Sequence, residues 1–242
     1  MLTDMLEDAR FDILGILDTI KKKLVHLVII LGVGFSVGWF VAEFVIQQIK
    51  KDMLGNLPKA ELIATSPIEY VLVQIEIALV FAVFLATPFV IYWVASRFKR
   101  KLRGKTKSLF VWALASFLLF LIGFSFTYFL ILPKAIWILT YLTTSADIYP
   151  YYSVSSFMTF TLLSIVVFTS VFELPLFVTW LALNGFVSVE KLKEKRKSVI
   201  VIIFVVTGII TPDPTPFSQM LLSIPLIILY EVSIISAKLF AK

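Results

Sequence analysis

Residues 154–183 read VSSFMTFTLLSIVVFTSVFELPLFVTWLAL, an apolar run carrying one charge, Glu173, two positions before Pro175. A helix rises about 1.5 Å per residue and hydrocarbon is about 30 Å thick, so roughly 20 apolar residues suffice to cross it. This run is long enough to be a membrane span. A charge at such depth costs about 2.5–3.5 kcal/mol on insertion scales, which makes Glu173 a functional candidate by default. Pro175 has no amide hydrogen to offer the carbonyl of Val171, so the spacing predicts a bent helix with an open acceptor beside the acid.

Five more apolar segments flank this one: Leu24 to Ile46, Tyr70 to Ala95, Ser108 to Leu132, Ser198 to Ile210 and Phe217 to Ala237. None alternates as a barrel strand would, and lipid forbids open sheet, so helices are expected throughout. The expectation is one polytopic all-α membrane domain over 1–242, with a cytoplasmic segment 1–23. Its spans are expected near 24–46, 70–95, 108–132, 154–183, 198–210 and 217–237. The fifth segment is short: at about 1.5 Å per residue it reaches only about 20 Å. It either thins the bilayer or turns back, so six spans and four spans plus a re-entrant hairpin both fit.

Composition agrees. The chain is 60% hydrophobic and 16% charged, where a soluble domain carries about 25% charged residues. With no cysteine and one histidine, disulfides, thiol catalysis and a dedicated metal site are excluded or disfavoured, and no cofactor is expected. The net charge of +6 would suggest nucleic acid in a soluble protein. Here the basic residues crowd short loops, so membrane topology explains them. Lys21 to Lys23 precede an apolar run too long for a signal-peptide core, so the first segment is a retained span. Of the 22 basic residues all but Lys50, Lys51, Lys59 and Lys134 fall on one face, which is therefore cytoplasmic, with both termini inside. The outer loops, rich in proline and in Tyr149, Tyr151 and Tyr152, suit short interfacial helices.

Glu76 and Glu231 also lie within apolar segments. Each is either a structural or snorkelling acid or part of a polar pathway, and Glu173 carries the same two readings. Thr211-Pro-Asp-Pro-Thr-Pro216 forces a sharp turn, where Asp213 can cap the next helix and Gln219 can bond a neighbouring one. At the N-terminus Asp4, Glu7, Asp8, Asp12 and Asp18 stand on a face otherwise basic. They form either a solvated helix face paired with Arg10 and the lysines, or a carboxylate cluster that captures a partner's arginines. His26 reads most simply as an interfacial residue. No hydrolase, zinc or phosphate-loop motif occurs.

Taken in order, several of these elements resemble TatC, the polytopic core subunit and signal-peptide receptor of the twin-arginine protein translocase. They are Leu6-Glu7-Asp8-Ala9-Arg10, Ser66-Pro67-Ile68-Glu69, Phe172-Glu173-Leu174-Pro175, Thr211-Pro212-Asp213 with Ser218-Gln219, and Pro225 with Leu229-Tyr230-Glu231. The resemblance implies six helices in a cupped arrangement, the last two short, in the cell (cytoplasmic) membrane. It implies that Glu7, Asp8 and Arg10 serve binding of the paired arginines of a folded cargo's signal peptide. Glu173, Pro175, Gln219 and Glu231 would border a groove for partner helices, and Pro67, Glu69 and Asp213 would shape the outer surface. Partners would be twin-arginine signal peptides, single-span TatA/TatB-type subunits, other TatC copies and lipid, with proton-motive force driving export and no bond broken. One departure is plain. The family's acid in the first cytoplasmic loop has no counterpart between Phe98 and Lys107, where every charge is basic. From a different class, a small proton-coupled transporter using Glu173 and Glu231 is the alternative, though the paired repeats of such proteins are lacking; a purely structural assembly scaffold is a third.

Overall fold

The computed structural model describes residues 2–55, 57, 61–97, 106–145, 151–183, 185–211 and 216–240. The chain is built from α1 (Leu2–Leu54), β1 (Glu61–Ile63), α2 (Glu69–Arg97) and α3 (Thr106–Phe126), followed by a π-helical turn at Thr127–Ile131 and α4 (Leu132–Ser145). Then come β2 (Tyr151–Ser153), α5 (Val154–Phe172), α6 (Leu174–Leu183), α7 (Val189–Glu194), α8 (Arg196–Ile210) and α9 (Pro216–Phe240). Five stretches are long and apolar enough to cross a membrane: Lys23–Leu54, Glu69–Val90, Leu114–Ser145, Val154–Leu183 and Gln219–Leu239. The fifth apolar segment is helical too, but α8 has 15 residues, about 22 Å of helix against about 30 Å of hydrocarbon. The last helix, expected to be short, runs 25 residues and continues through Pro225; Pro216 supplies the fixed φ that suits a first helical position.

Two further differences from the sequence reading lie in the third span and in the loops on either side of it. The third span does not stop at Leu132. Pro133 cannot donate to the carbonyl of Phe129, and the helix absorbs this by widening for one turn, with the amide of Leu132 reaching back five residues to the carbonyl of Thr127. It then continues to Ser145. The two loops expected on the outer side hold a helix, α4, in the second and a small parallel sheet between them that the sequence reading did not foresee. Glu61 pairs with Tyr151, Leu62 with Tyr152 and Ile63 with Ser153, and Tyr152 is held from the other side by Thr140 at 3.0 Å. The segments on either side of the first outer loop are thereby tied to the entrance of α5.

Packing inside the bundle uses small residues, because lipid gives apolar side chains no hydrophobic reason to associate and close van der Waals contact must do it. Gly34 and Gly38 of α1 lie against α2. A Cβ on either would come within 2.7 Å of the Cα of Ala82 or Ala78 respectively. Gly123 of α3 does the same toward α5, where an added Cβ would lie 2.8 Å from the Cβ of Phe172. Phe168, Met158, Leu132, Ile77 and Leu226 fill the centre.

Replacing Gly38 with Leu should force α1 from α2 and cost about 1–3 kcal/mol, read as a lower unfolding midpoint in detergent. Gly32→Ala, where the added carbon meets nothing within 4 Å, should leave the midpoint unchanged.

Candidate functional site

The fourth span breaks where the proline predicted it would. α5 ends at Phe172, Glu173 takes φ −76° and ψ −17°, and α6 begins at Leu174. The amide of Glu173 donates to the carbonyl of Ser170 at 3.1 Å, and regular spacing resumes when Phe177 donates to the carbonyl of Glu173 at 3.0 Å. The closeness of α3 at Gly123 brings Ser116, two turns away on the same face, within reach of the acid. Its hydroxyl donates to Oε2 of Glu173 at 2.7 Å. Oε1 is covered from solvent and has no hydrogen-bond partner among the described residues. The acid is thus satisfied on one side and open on the other, half-buried at a helix break.

Pro175 carries the other half of the arrangement. Its carbonyl accepts from Thr179 at 2.6 Å and from Ser236 of α9 at 3.4 Å, and the two hydroxyls bond each other. These contacts fasten the short α6 to α9. The remaining groove candidates stand elsewhere on α9, each engaged by its own neighbour. Gln219 donates to the carbonyl of Phe204 in α8 at 2.6 Å across the bare surface of Gly208. It is 17 residues from Ser236, about 25 Å along the helix. Glu231 forms an ion pair with Arg196 at 2.6 Å, both side chains well exposed at 38% and 44%, and next to it Tyr230 donates to the carbonyl of Leu192 at 2.8 Å. The structure therefore unites Glu173 with Pro175, places Gln219 in the α8–α9 seam, and places Glu231 where α9 meets the loop before α8.

At the end of the bundle that carries the β1–β2 pair, Glu69 is buried at the start of α2. It accepts from the backbone of Thr65 at 3.2 Å, from the Thr65 hydroxyl and from Ser153 at 3.3 Å, so it joins the Pro67 turn to the β2–α5 junction. Glu76, one face and two turns further in, takes the hydroxyl of Thr159 at 2.9 Å on both oxygens. Asp213 lies outside the described residues, as does the basic stretch 98–105. Glu7, Asp8 and Arg10 fall on α1 where only the backbone is described. Sequence reasoning passed over Glu43, an acid within the first span that is exposed on the outer surface of α1. The signal was available, since an acid among Phe40, Val41, Phe44 and Val45 is as costly as any of the three it singled out.

The family model for the Sec-independent protein translocase protein TatC matches residues 15–225. The chain belongs to the TatC family. It is 34% identical over 225 residues to the TatC of Aquifex aeolicus, covering 92% of this chain and 93% of that one. The Escherichia coli TatC is 28% identical over 223 residues, with 91% and 86% covered. A crystal structure of the twin-arginine translocase receptor TatC superposes with a TM-score of 0.80 at 32% identity, covering 93% of this chain and 99% of that one. As a TatC protein this chain is a multi-pass membrane component of the Sec-independent, twin-arginine protein translocase.

The TatC fold makes the two acidic contacts separable by their energetics. Ser116→Ala would leave both oxygens of Glu173 without a donor, costing about 1–3 kcal/mol, whereas Arg196→Ala breaks an exposed pair worth about 0–1 kcal/mol. Thermal unfolding of the two variants in one detergent should rank them in that order.

Proposed function

We propose that this chain is the receptor of its translocase. Its N-terminal acids hold the paired arginines of a signal peptide, and Glu173 receives a polar group from a single-span TatA/TatB-type helix. The observation that carries this reading is the half-satisfied carboxyl of Glu173 at the α5–α6 break. A buried acceptor without a donor is costly and is ordinarily filled, and Oε1 is one that an incoming helix could fill by a small rotation of the side chain. The broken turn beside it interrupts the hydrogen-bond ladder of the span at the acid, and that interruption supplies the give that such an approach needs.

On the cytoplasmic side, Asp8 with Glu7 offers forked acceptors suited to guanidinium, and Arg10 keeps the pair from facing only like charge. The first cytoplasmic loop offers no acid, so arginine recognition rests on the N-terminal segment. Both termini lie in the cytoplasm, copies of the chain assemble side by side, and no covalent bond is broken in the work. The short α8 thins the bilayer locally, and export is driven by the proton-motive force.

A twin-arginine peptide should bind the membrane-embedded protein, and the doubly lysine-substituted peptide should bind at least about tenfold more weakly, since lysine cannot fork onto carboxylate. Equal binding would remove the receptor reading. Glu7→Ala with Asp8→Ala should weaken the same peptide more than Lys101→Ala does. In an export assay Glu173→Ala should insert normally yet transport poorly; a wild-type rate would take Glu173 out of the partner site.

A further inference from the structure

Six residues of the fourth span recur at intervals of four and three, Thr159, Leu163, Val166, Ser170, Glu173 and Phe177, and so share one face. None of them is buried, whereas Leu162, Ile165 and Phe172 on the adjoining face are. The stripe is the outward edge of α5, carried past the break onto α6. It covers 18 residues, about 27 Å, close to the roughly 30 Å of hydrocarbon that a spanning helix must cross. Its middle is small: the Ser170 hydroxyl donates back to the carbonyl of Val166 at 2.7 Å, which leaves room for another backbone to approach.

Two acids short of a donor stand on this stripe. At Glu173, Oε1 is covered and has no hydrogen-bond partner among the described residues. Further along, Glu76 of α2 lies against Thr159, with both carboxylate oxygens 2.9 Å from the one hydroxyl. A hydroxyl has a single proton to donate, so it serves one oxygen at a time. Glu76 makes no other hydrogen bond or ion pair among the described residues. It is partly exposed and lies within the Glu69–Val90 span, seven residues or about 10 Å from its end. Hydrocarbon offers no donor at that depth. Along α5 the two acids are separated by the 14 residues from Thr159 to Glu173, about 21 Å.

We infer that a single-span partner helix lies along this stripe and makes a second polar contact, at Glu76, so that it carries two hydrogen-bond donors about 14 residues apart on one face. The inference rests on the partner contact proposed above for Glu173 and adds the residue that fixes the register of the incoming helix. One contact lets a helix slide and swivel about it; two at this spacing do not. A second copy of the chain does not meet the requirement. Copies in one membrane share an orientation, so pairing on this stripe sets Glu173 level with Glu173 and Glu76 level with Glu76, acceptor against acceptor. Lipid or an apolar helix leaves both acids as they are.

The full-length protein is produced in membranes with a fluorophore on its C-terminus, together with a leucine helix of about 24 residues whose orientation is fixed by a fluorescent domain on its cytoplasmic end. Energy transfer reports their association. The helix carries one glutamine level with Glu173, or adds a second about 14 residues toward the β1–β2 end, or adds it instead about nine residues away, roughly 180° round the helix. The 14-residue pair should associate about three- to tenfold more tightly than the single glutamine, and the nine-residue pair no more tightly than it. Glu76→Leu should abolish the gain and leave the single-glutamine helix bound as before, which also shows that the variant is folded. Thr159→Val, which strips Glu76 of its internal donor, should keep or enlarge the gain, whereas a merely structural pair would lose it as Glu76→Leu does. Equal association of the two pairs, or a gain indifferent to Glu76→Leu, would overturn the inference and leave Glu173 as a lone contact. Energy transfer between copies of the chain that Glu76→Leu abolishes would give the stripe to a second copy and overturn it too. A single-glutamine helix that binds no better than an all-leucine one, or that ignores Glu173→Leu, would overturn the partner contact at Glu173 itself.

Discussion

A polar group inside hydrocarbon has no water to turn to, so each one must find its partner within the protein or from another protein. Most of what distinguishes this bundle from a stack of greasy rods follows from that constraint. Thr159 bonds Glu76, Ser153 and Thr65 satisfy Glu69, Gln219 reaches into the backbone of α8, and Thr207 and Ser223 bond each other at 2.8 Å in the α8–α9 seam. Each contact joins two elements distant in sequence or fixes a turn between them, so the polar groups specify which helices are neighbours. The pattern has exceptions among the described residues: the hydroxyls of Ser164 and Thr169 are covered without a partner, and so is one oxygen of Glu173, whose other oxygen is bonded to Ser116. Of these Glu173 alone is an acid, the costliest group to leave half-satisfied in lipid, which is why the proposed partner contact is put there.

The break beside that acid also governs the local mechanics. Pro175 ends one hydrogen-bonded ladder and starts another, leaving α6 as a ten-residue piece that packs along α9 and is tied to it by the hydroxyls of Thr179 and Ser236. A continuous helix would pair all its carbonyls and present an even surface. This one carries a joint at the depth of its acid. The short α8 adds a second irregularity, since a 15-residue helix is shorter than the hydrocarbon is thick and a helix too short for its bilayer is accommodated by local thinning. Together they give a membrane protein closely packed at the α1–α2 contact and broken at α5–α6.

Much of this was legible in the order of residues. The six apolar segments are all helical, and the break falls at Glu173 because proline chemistry is local and needs only neighbours to be read. Part of what was missed is non-local. The β1–β2 pairing joins residues 90 positions apart across three residues on each strand, too short to leave a pattern. The third span outran its expected end because Pro133 was read as a terminator, whereas a π turn absorbed it. Glu231 was placed at the groove by the family resemblance, with a structural or snorkelling role as the alternative from its residues, and the fold adds Arg196 beside it. Gln219, expected to bond a neighbouring helix, does so with Phe204 of α8.

The most direct test of the central claim is a vibrational one: the carboxyl stretch of Glu173, isolated by isotope editing or by difference against Glu173→Gln, measured for the protein alone in lipid and after adding a single-span TatA/TatB-type subunit. If the open oxygen is filled by the partner, the band moves to lower frequency on addition and keeps that shift in Ser116→Ala. A band that stays in place while the subunit is demonstrably bound would show that partners meet this protein somewhere else.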